Sequence, residues 1–484
     1  MPSDQSLPAH FGLRMFISSA GLLSISSVSN LVRAIITAKL LALTLGPSMT
    51  GVLAQILNFS AFLFQIIPLG LTTGVAKMVA ESPAERSRVS AVVGTSSALA
   101  VASATTCTIL LLPFSGQISG LLTGSERYTL PVVLILVSLP LYNLAGVLSY
   151  VIQGLSDIRG LTIANVATAV VATAVLIPSV IRFGLVGATA AVVAGSLIQT
   201  VFFGAAVARA YRARTWAMSS IHVSRATAAS LLQYGGVLLV AGVGAWGSLL
   251  LVRTLGVRTL GEFQNGIYQV VNGVSSQYMA VFIAWMAAYV FPRVVAEAGG
   301  RSLQTLLNSA LRANLLIMVP GLVIVLALRE LVIRLLYSSA FLAAAPVLPI
   351  QVLGDYARII GWSFGIALFA HGKTRAYLLA MLSQNLLWIV ISSTTLRTFG
   401  TAAIAMGYAL SSLAWPVLMY PMVRRWFGVR IDAESALLSV VGLMALVGAV
   451  VLPSLAGLLL AAAVPVTIYL VRLQRQRLSA AHDG

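Results

Sequence analysis

Residues 39–51 read KLLALTLGPSMTG, and residues 254–266 read TLGVRTLGEFQNG. Both place a Leu-Gly pair at the same point and close with a second glycine, so that Gly46-x4-Gly51 recurs as Gly261-x4-Gly266. The correspondence extends in both directions. Lys77-Met-Val-Ala-Glu81 recurs as Arg293-Val-Val-Ala-Glu297, Arg86-Ser87 as Arg301-Ser302, Gly146 as Gly361 and Arg159 as Arg375. Arg182-Phe-Gly184 returns as Arg397-Thr-Phe-Gly400, and the offset stays at 215 or 216 residues throughout. A constant offset is the mark of an internal duplication. A duplicated apolar bundle suits a carrier, because two similar lobes can rock about a site between them. A duplication that only built a large membrane scaffold is the alternative.

Hydrophobic residues make up 59% of the 484-residue chain and charged residues 9%, against about 25% charged in soluble proteins. Such a chain cannot cover a soluble surface. Its apolar runs repeatedly reach the ~20 residues that cross a bilayer, and about fourteen are counted, from 15–44 to 455–471. Backbone groups in lipid must be satisfied within their own segment, which selects helices at these lengths. Barrel strands would be about ten residues long with strict alternation, a pattern not seen here. The fold class expected is all-α and polytopic, with two parallel six-helix repeats and a C-terminal hairpin.

The formal charge of +18 invites a nucleic-acid reading, but its distribution excludes one. Nineteen of the 30 Lys and Arg fall in alternate loops and termini, and seven beside the opposite loops. That asymmetry is the positive-inside pattern and places both termini in the cytoplasm. The first apolar run has no short core followed by a small-residue cleavage site, so it reads as a retained helix. One cysteine, Cys107, and four scattered histidines build neither a disulfide nor a metal site. No phosphate-binding loop, nucleophile elbow or His-Glu-x-x-His motif is present. The reading is therefore of a non-enzyme without a cofactor.

Each half holds six spans, an even number that returns the chain to its starting side and makes the repeats parallel. The expected organisation is an N-terminal lobe at 1–209, a basic cytoplasmic linker at 210–226 and a C-terminal lobe at 227–425. A two-helix hairpin at 426–473 and a tail at 474–484 follow. Pro68-Leu-Gly70 with Gly74, and Pro320-Gly321, are expected to interrupt the second and ninth spans as hinges or tolerated kinks.

Charges inside apolar spans are the costly residues. An unpaired Arg at the bilayer centre costs at least ~2.5 kcal/mol, so Arg33 must face a partner or a wet cavity. Lys39 follows it on the same span, and Arg253 and Arg258 occupy the matching region of the second repeat. Asp355 and Arg358, three residues apart, can pair on one helix face. Arg312 can snorkel from a span end. The intramembrane balance of Arg33, Lys39, Arg312 and Arg358 against Asp355 is cationic, as an anionic substrate would require. Gln55 and Asn58 in the second span, and Gln269 and Asn272 in the eighth, offer amides suited to hydroxyl-rich ligands. Tight helix packing around small polar residues is the alternative for the neighbouring serines.

Lys39-Leu-Leu-Ala42 before Gly46-Pro47, Gly74-Val-Ala-Lys77, Val93-Gly-Thr-Ser-Ser97, Val352-Leu-Gly-Asp355 with Arg358, and Leu382-Ser-Gln384 together resemble the O-antigen translocase branch of the polysaccharide-transporter family. That family belongs to the multidrug/oligosaccharidyl-lipid/polysaccharide superfamily, and the likeness extends to its enterobacterial common antigen flippases. It covers roughly residues 15–425, and the last hairpin departs from the usual twelve helices. The resemblance implies a two-lobed inner-membrane flippase that moves an undecaprenyl-diphosphate-linked oligosaccharide from the cytoplasmic to the periplasmic leaflet. It implies Arg33 as a cavity arginine, and Asp355 and Arg358 as a tenth-helix Asp-x-x-basic element. Beyond the polyprenyl-diphosphate-linked oligosaccharide and the lipid bilayer, the partners implied are a polysaccharide polymerase and chain-length proteins. Arg33, Lys39, Arg253, Arg258, Arg358, Gln55, Asn58, Gln269 and Asn272 are the expected substrate contacts, and Asp355 the ion-coupling group. A cation-coupled exporter of small molecules is the alternative, though it would call for acids in its cavity. A scaffold for polysaccharide assembly is a third reading.

Overall fold

The computed structural model describes residues 9–67, 71–217, 221–297 and 299–451, and among them it is helical with no strand. The helices are α1 (Ala9–Ile66), α2 (Leu71–Glu81), α3 (Arg86–Leu111), α4 (Ser115–Thr123), α5 (Thr129–Gly154), α6 (Ile158–Ala213) and α7 (Arg225–Leu260). They continue as α8 (Glu262–Trp285), α9 (Phe291–Ala296), α10 (Gly300–Ala327), α11 (Arg329–Leu336), α12 (Leu348–Ala370), α13 (Thr374–Phe399), α14 (Thr401–Phe427) and α15 (Ala433–Val451). Eleven candidate membrane spans lie among the described residues. The expected helix at 455–471 and the break at 68–70 lie outside them.

Two helices are too long to cross once. α1 has 58 residues and α6 has 56, about 85 Å each at 1.5 Å per residue, against a ~30 Å hydrocarbon core. Each changes direction at a glycine, Gly46 (φ 67°, ψ −179°) and Gly184 (φ 55°, ψ −127°). The duplication seen in the sequence is repeated in these dihedrals. Gly261, the counterpart of Gly46, has φ 88° and ψ 173°, and Gly400, the counterpart of Gly184, has φ 57° and ψ −137°. Space does not demand glycine here, since a Cβ would meet nothing within 4 Å at Gly46, Gly261 or Gly400. The backbone conformation does, because side chains disfavour positive φ with extended ψ. The sequence motif thus encodes the corner between two spans.

The chain divides into two compact units, residues 1–250 and 251–484. In the first, Val79, Val92, Val151, Phe203 and Tyr211 are buried together where α2, α3, α5 and α6 meet. A second cluster buries Ile56, Leu63, Val132 and Leu136 between α1 and α5. Leu53, Val180 and Ala188 close the corners at Gly46 and Gly184 against each other.

In the second unit α12 is central. Gly354 allows α14 to approach it, since a Cβ there would stand 2.7 Å from Tyr408 Cδ1 and 2.8 Å from Ala409 Cα. α8 passes through a π-turn at Met286–Val290 into α9. α10 runs without interruption through Pro320 and Gly321, so, of the two readings, the proline is tolerated within the helix and does not open it. The lost proline N–H removes one hydrogen bond from a helix that keeps the rest.

Arg312 departs from expectation. It does not snorkel freely, but reaches Asp432 at 3.2 Å and Glu434 at 2.7 Å. Asn308 adds a bond to the Arg430 carbonyl at 2.8 Å and accepts the Asp432 amide at 3.0 Å. These contacts fasten the start of α15 to α10. Arg312 thus leaves the set of uncompensated membrane cations.

Candidate functional site

The first unit encloses a cavity of about 330 Å³ between α1, α5 and α6. Its polar wall is formed by Asn30, Arg33 and Thr37 from α1, and by Asn165, Thr168 and Gln199 from the two arms of α6. Asn165, Thr168, Ala172 and Leu176 share one face of α6 at helical spacing, while Ile163 and Val170 on the other face are exposed. Arg33 is exposed and has no acidic partner among the described residues of its unit. The cavity lining includes no carboxylate. The buried hydroxyls of Thr37 and Thr168 find no protein partner, so two hydrogen-bonding groups are available to whatever enters. A cation beside a wall of neutral donors and acceptors is an arrangement for an anionic or hydroxyl-rich ligand.

The other first-unit candidates stand elsewhere. Lys39 is half-buried on α1 outside this cavity lining. Gln55 is fully buried and donates to the Leu250 carbonyl at 3.3 Å. Asn58 is half-buried, with its amide nitrogen unpartnered. The sequence brought Arg33 forward because charge in an apolar span is conspicuous. Tyr142, Asn165, Thr168 and Gln199 were missed, although the i, i+3 pair Asn165–Thr168 inside an apolar run was a signal for those two.

The second unit holds a buried polar network. Asp355 on α12 is fully buried. Its Oδ2 accepts from the Ser275 hydroxyl at 2.6 Å and from Tyr278 at 2.5 Å, both on α8. Its Oδ1 accepts from Tyr408 on α14 at 2.5 Å. Arg358 does not pair directly with Asp355 as the sequence suggested. Its Nη1 donates to the Tyr408 hydroxyl at 2.9 Å, and its guanidinium lies 5.2 Å from the centre of the Trp362 ring. Arg358 Nε is buried without a partner. The network therefore runs Asp355–Tyr408–Arg358, with the phenol in the middle. Nothing in the spacing of Tyr278 and Tyr408 announced them, because they come from other helices.

Arg253 is also fully buried, and neutral amides hold it. Its Nε donates to Asn265 Oδ1 at 3.0 Å, its Nη1 to Gln269 Oε1 at 2.6 Å and its Nη2 to the Asn265 carbonyl at 3.4 Å. Gln269 is thereby engaged with Arg253. Asn272 is half-buried one turn further along α8, and Arg258 is exposed near the end of α7.

No family model matches the chain. The chain is 22% identical over 383 residues to the Lipid III flippase of Escherichia coli (strain K12), covering 79% of this chain and 91% of the relative. The Shigella flexneri Lipid III flippase matches with the same identity and coverage. Among solved structures, an inward-facing multidrug resistance MATE family transporter of the MOP superfamily superposes with a TM-score of 0.70 at 15% identity. It covers 85% of this chain and 98% of that one. Lipid II flippase MurJ in an inward closed conformation gives a TM-score of 0.69 at 14% identity, over 95% of this chain and 99% of its own. The chain shares the fold of these two solved structures. It is a multi-pass membrane protein of that architecture, and the match to MurJ extends over nearly all of it.

Proposed function

We propose that the protein is a flippase for a polyprenyl-diphosphate-linked oligosaccharide at the bacterial inner membrane, with both termini in the cytoplasm. The observation that carries this reading is Arg33, a membrane cation on a cavity with one polar wall and no carboxylate in its lining. The diphosphate sits against Arg33, and the first sugars contact Asn30, Asn165, Thr168 and Gln199. The polyprenyl chain stays in lipid. Lys39, Asn58, Arg258 and Asn272 supply further polar surface. Gln55, Arg253, Gln269 and Arg358, engaged within the fold here, join it only as the lobes alternate, and Asp355 couples the movement to an ion gradient. The lobes are the duplicated halves at 1–209 and 227–425, joined by the basic linker at 210–226. The head group moves from the cytoplasmic to the periplasmic leaflet, where polymerase and chain-length proteins receive the unit.

The two relatives are named Lipid III flippases, which supports a lipid cargo for this chain. The cation-exporter reading is weaker, because a cationic drug would meet Arg33 in this cavity and find no acid there. In cells, an Arg33→Ala strain should lose surface glycan while the lipid-linked unit accumulates in the inner leaflet. Normal glycan display at wild-type protein levels would remove Arg33 from this role.

A further inference from the structure

The corner at Gly184 brings the first turn of α6 and its last turn to the same end of the bundle. An open cleft of about 630 Å³ lies there, lined by Ser156, Asp157, Arg159, Ile163, Arg209 and Arg214 among others. Three guanidiniums thus face one carboxylate. Asp157 is already engaged twice, accepting the Gly160 amide at 2.8 Å and pairing with Arg209 at 3.0 Å. Arg214 donates to the carbonyls of Ala210 at 3.2 Å and Leu155 at 3.3 Å, and lies 5.8 Å from the centre of the Trp216 ring. These bonds fix two of the three cations in place. Arg159 is exposed and makes no ion pair or hydrogen bond among the described residues.

The apolar side of the cleft decides what kind of anion fits. Ile163 lines the cleft and begins an outer stripe of Ile163, Val170, Ile177 and Ile181, all exposed. At about 100° per residue these four fall within an arc of roughly 40°. Ile163 and Val170 cover about 10 Å of the helix axis, inside the ~15 Å half-thickness of the hydrocarbon core. A cationic cleft that opens onto an exposed apolar stripe of a candidate membrane span has the form of a phospholipid, with phosphate and acyl chain in sequence.

We propose that this cleft, formed by Arg159, Arg209 and Arg214 beside Ile163, is a binding site for the phosphate of an anionic phospholipid, separate from the Arg33 cavity. Basic residues clustered at a membrane surface attract anionic lipid by about fivefold per side chain. The site stands whether or not the cargo of the Arg33 cavity is the one proposed above.

Native mass spectrometry of the purified full-length protein, titrated with phosphatidylglycerol or phosphatidylethanolamine, tests it. Phosphatidylglycerol should be retained more strongly than phosphatidylethanolamine. Arg159→Gln should weaken that retention about fivefold, and Arg159→Gln/Arg209→Gln should weaken it further. Arg212→Gln removes the same charge from an exposed neighbour outside the cleft and should leave retention intact. Equal loss in Arg212→Gln and Arg159→Gln, or equal retention of both lipids, would overturn the site. Inorganic phosphate that displaces phosphatidylglycerol at micromolar concentration would reassign it to a soluble anion. Arg159 has no partner in the fold to lose, so its single variant decides the matter even if the double variant is unstable.

Discussion

The Tyr408 hydroxyl stands between Asp355 and Arg358, donating to the carboxylate at 2.5 Å and accepting from the guanidinium at 2.9 Å. A single phenol from α14 thus joins two charges on α12. With Ser275 and Tyr278 donating from α8, one carboxylate draws three helices together. Tyr408→Phe deletes two charge-assisted bonds at once and should destabilise the protein by about 1.5–3 kcal/mol, measured by thermal unfolding in detergent. Had Asp355 and Arg358 paired directly, the same substitution would have little effect.

The coupling role proposed for Asp355 makes a different demand. Asp355→Asn should abolish gradient-driven transport while protein levels stay near normal, and Arg358→Gln should give a milder defect. Breaking a buried pair from either side should instead cost similar stability if the pair were structural. Restored transport in Asp355→Asn/Arg358→Gln would show that the two residues only balance each other's charge, and the coupling role would have to be given up.

For Arg253 the amides around it set the expectation. Asn265→Leu leaves the buried guanidinium short of acceptors and should cost about 3–5 kcal/mol. Arg253→Met removes the charge with its demand and should cost clearly less. Unfolding temperatures of the two variants in one detergent give the order, and the reverse order would contradict a buried arginine satisfied by Asn265 and Gln269.

The corner glycines test the encoded duplication. Gly400→Ala and Gly184→Ala should each lower stability by about 1–3 kcal/mol, because both sites hold positive φ. Gly321→Ala is the comparison: it is helical, its added Cβ meets nothing within 4 Å, and the change should be neutral or slightly stabilising.

The fold was legible because hydropathy, charge bias and repeat offsets are properties of the chain in order. Gly46 and Gly261 could be matched by spacing, and their shared backbone conformation follows from the chemistry of one residue type. The site was legible only where a residue broke a rule by itself. Arg33 and Asp355 did so, as charges in apolar spans. Tyr408, Tyr142 and Gln199 did not, since each matters through residues far away in sequence. Arg312 broke the rule as well, yet it is compensated by Asp432 and Glu434 at the start of α15, partners that local spacing could not disclose.

Reconstitution tests the central claim most directly. Proteoliposomes carrying a polyprenyl-diphosphate-linked oligosaccharide, with the exposed leaflet scored by an impermeant glycan-modifying enzyme, measure transfer of the head group. Wild-type protein should speed transfer well above protein-free vesicles, and Arg33→Ala should reduce it at least tenfold while Arg33→Lys keeps part of it. Transfer at the protein-free rate, or full transfer by Arg33→Ala, would contradict a flippase that holds its anionic cargo on Arg33.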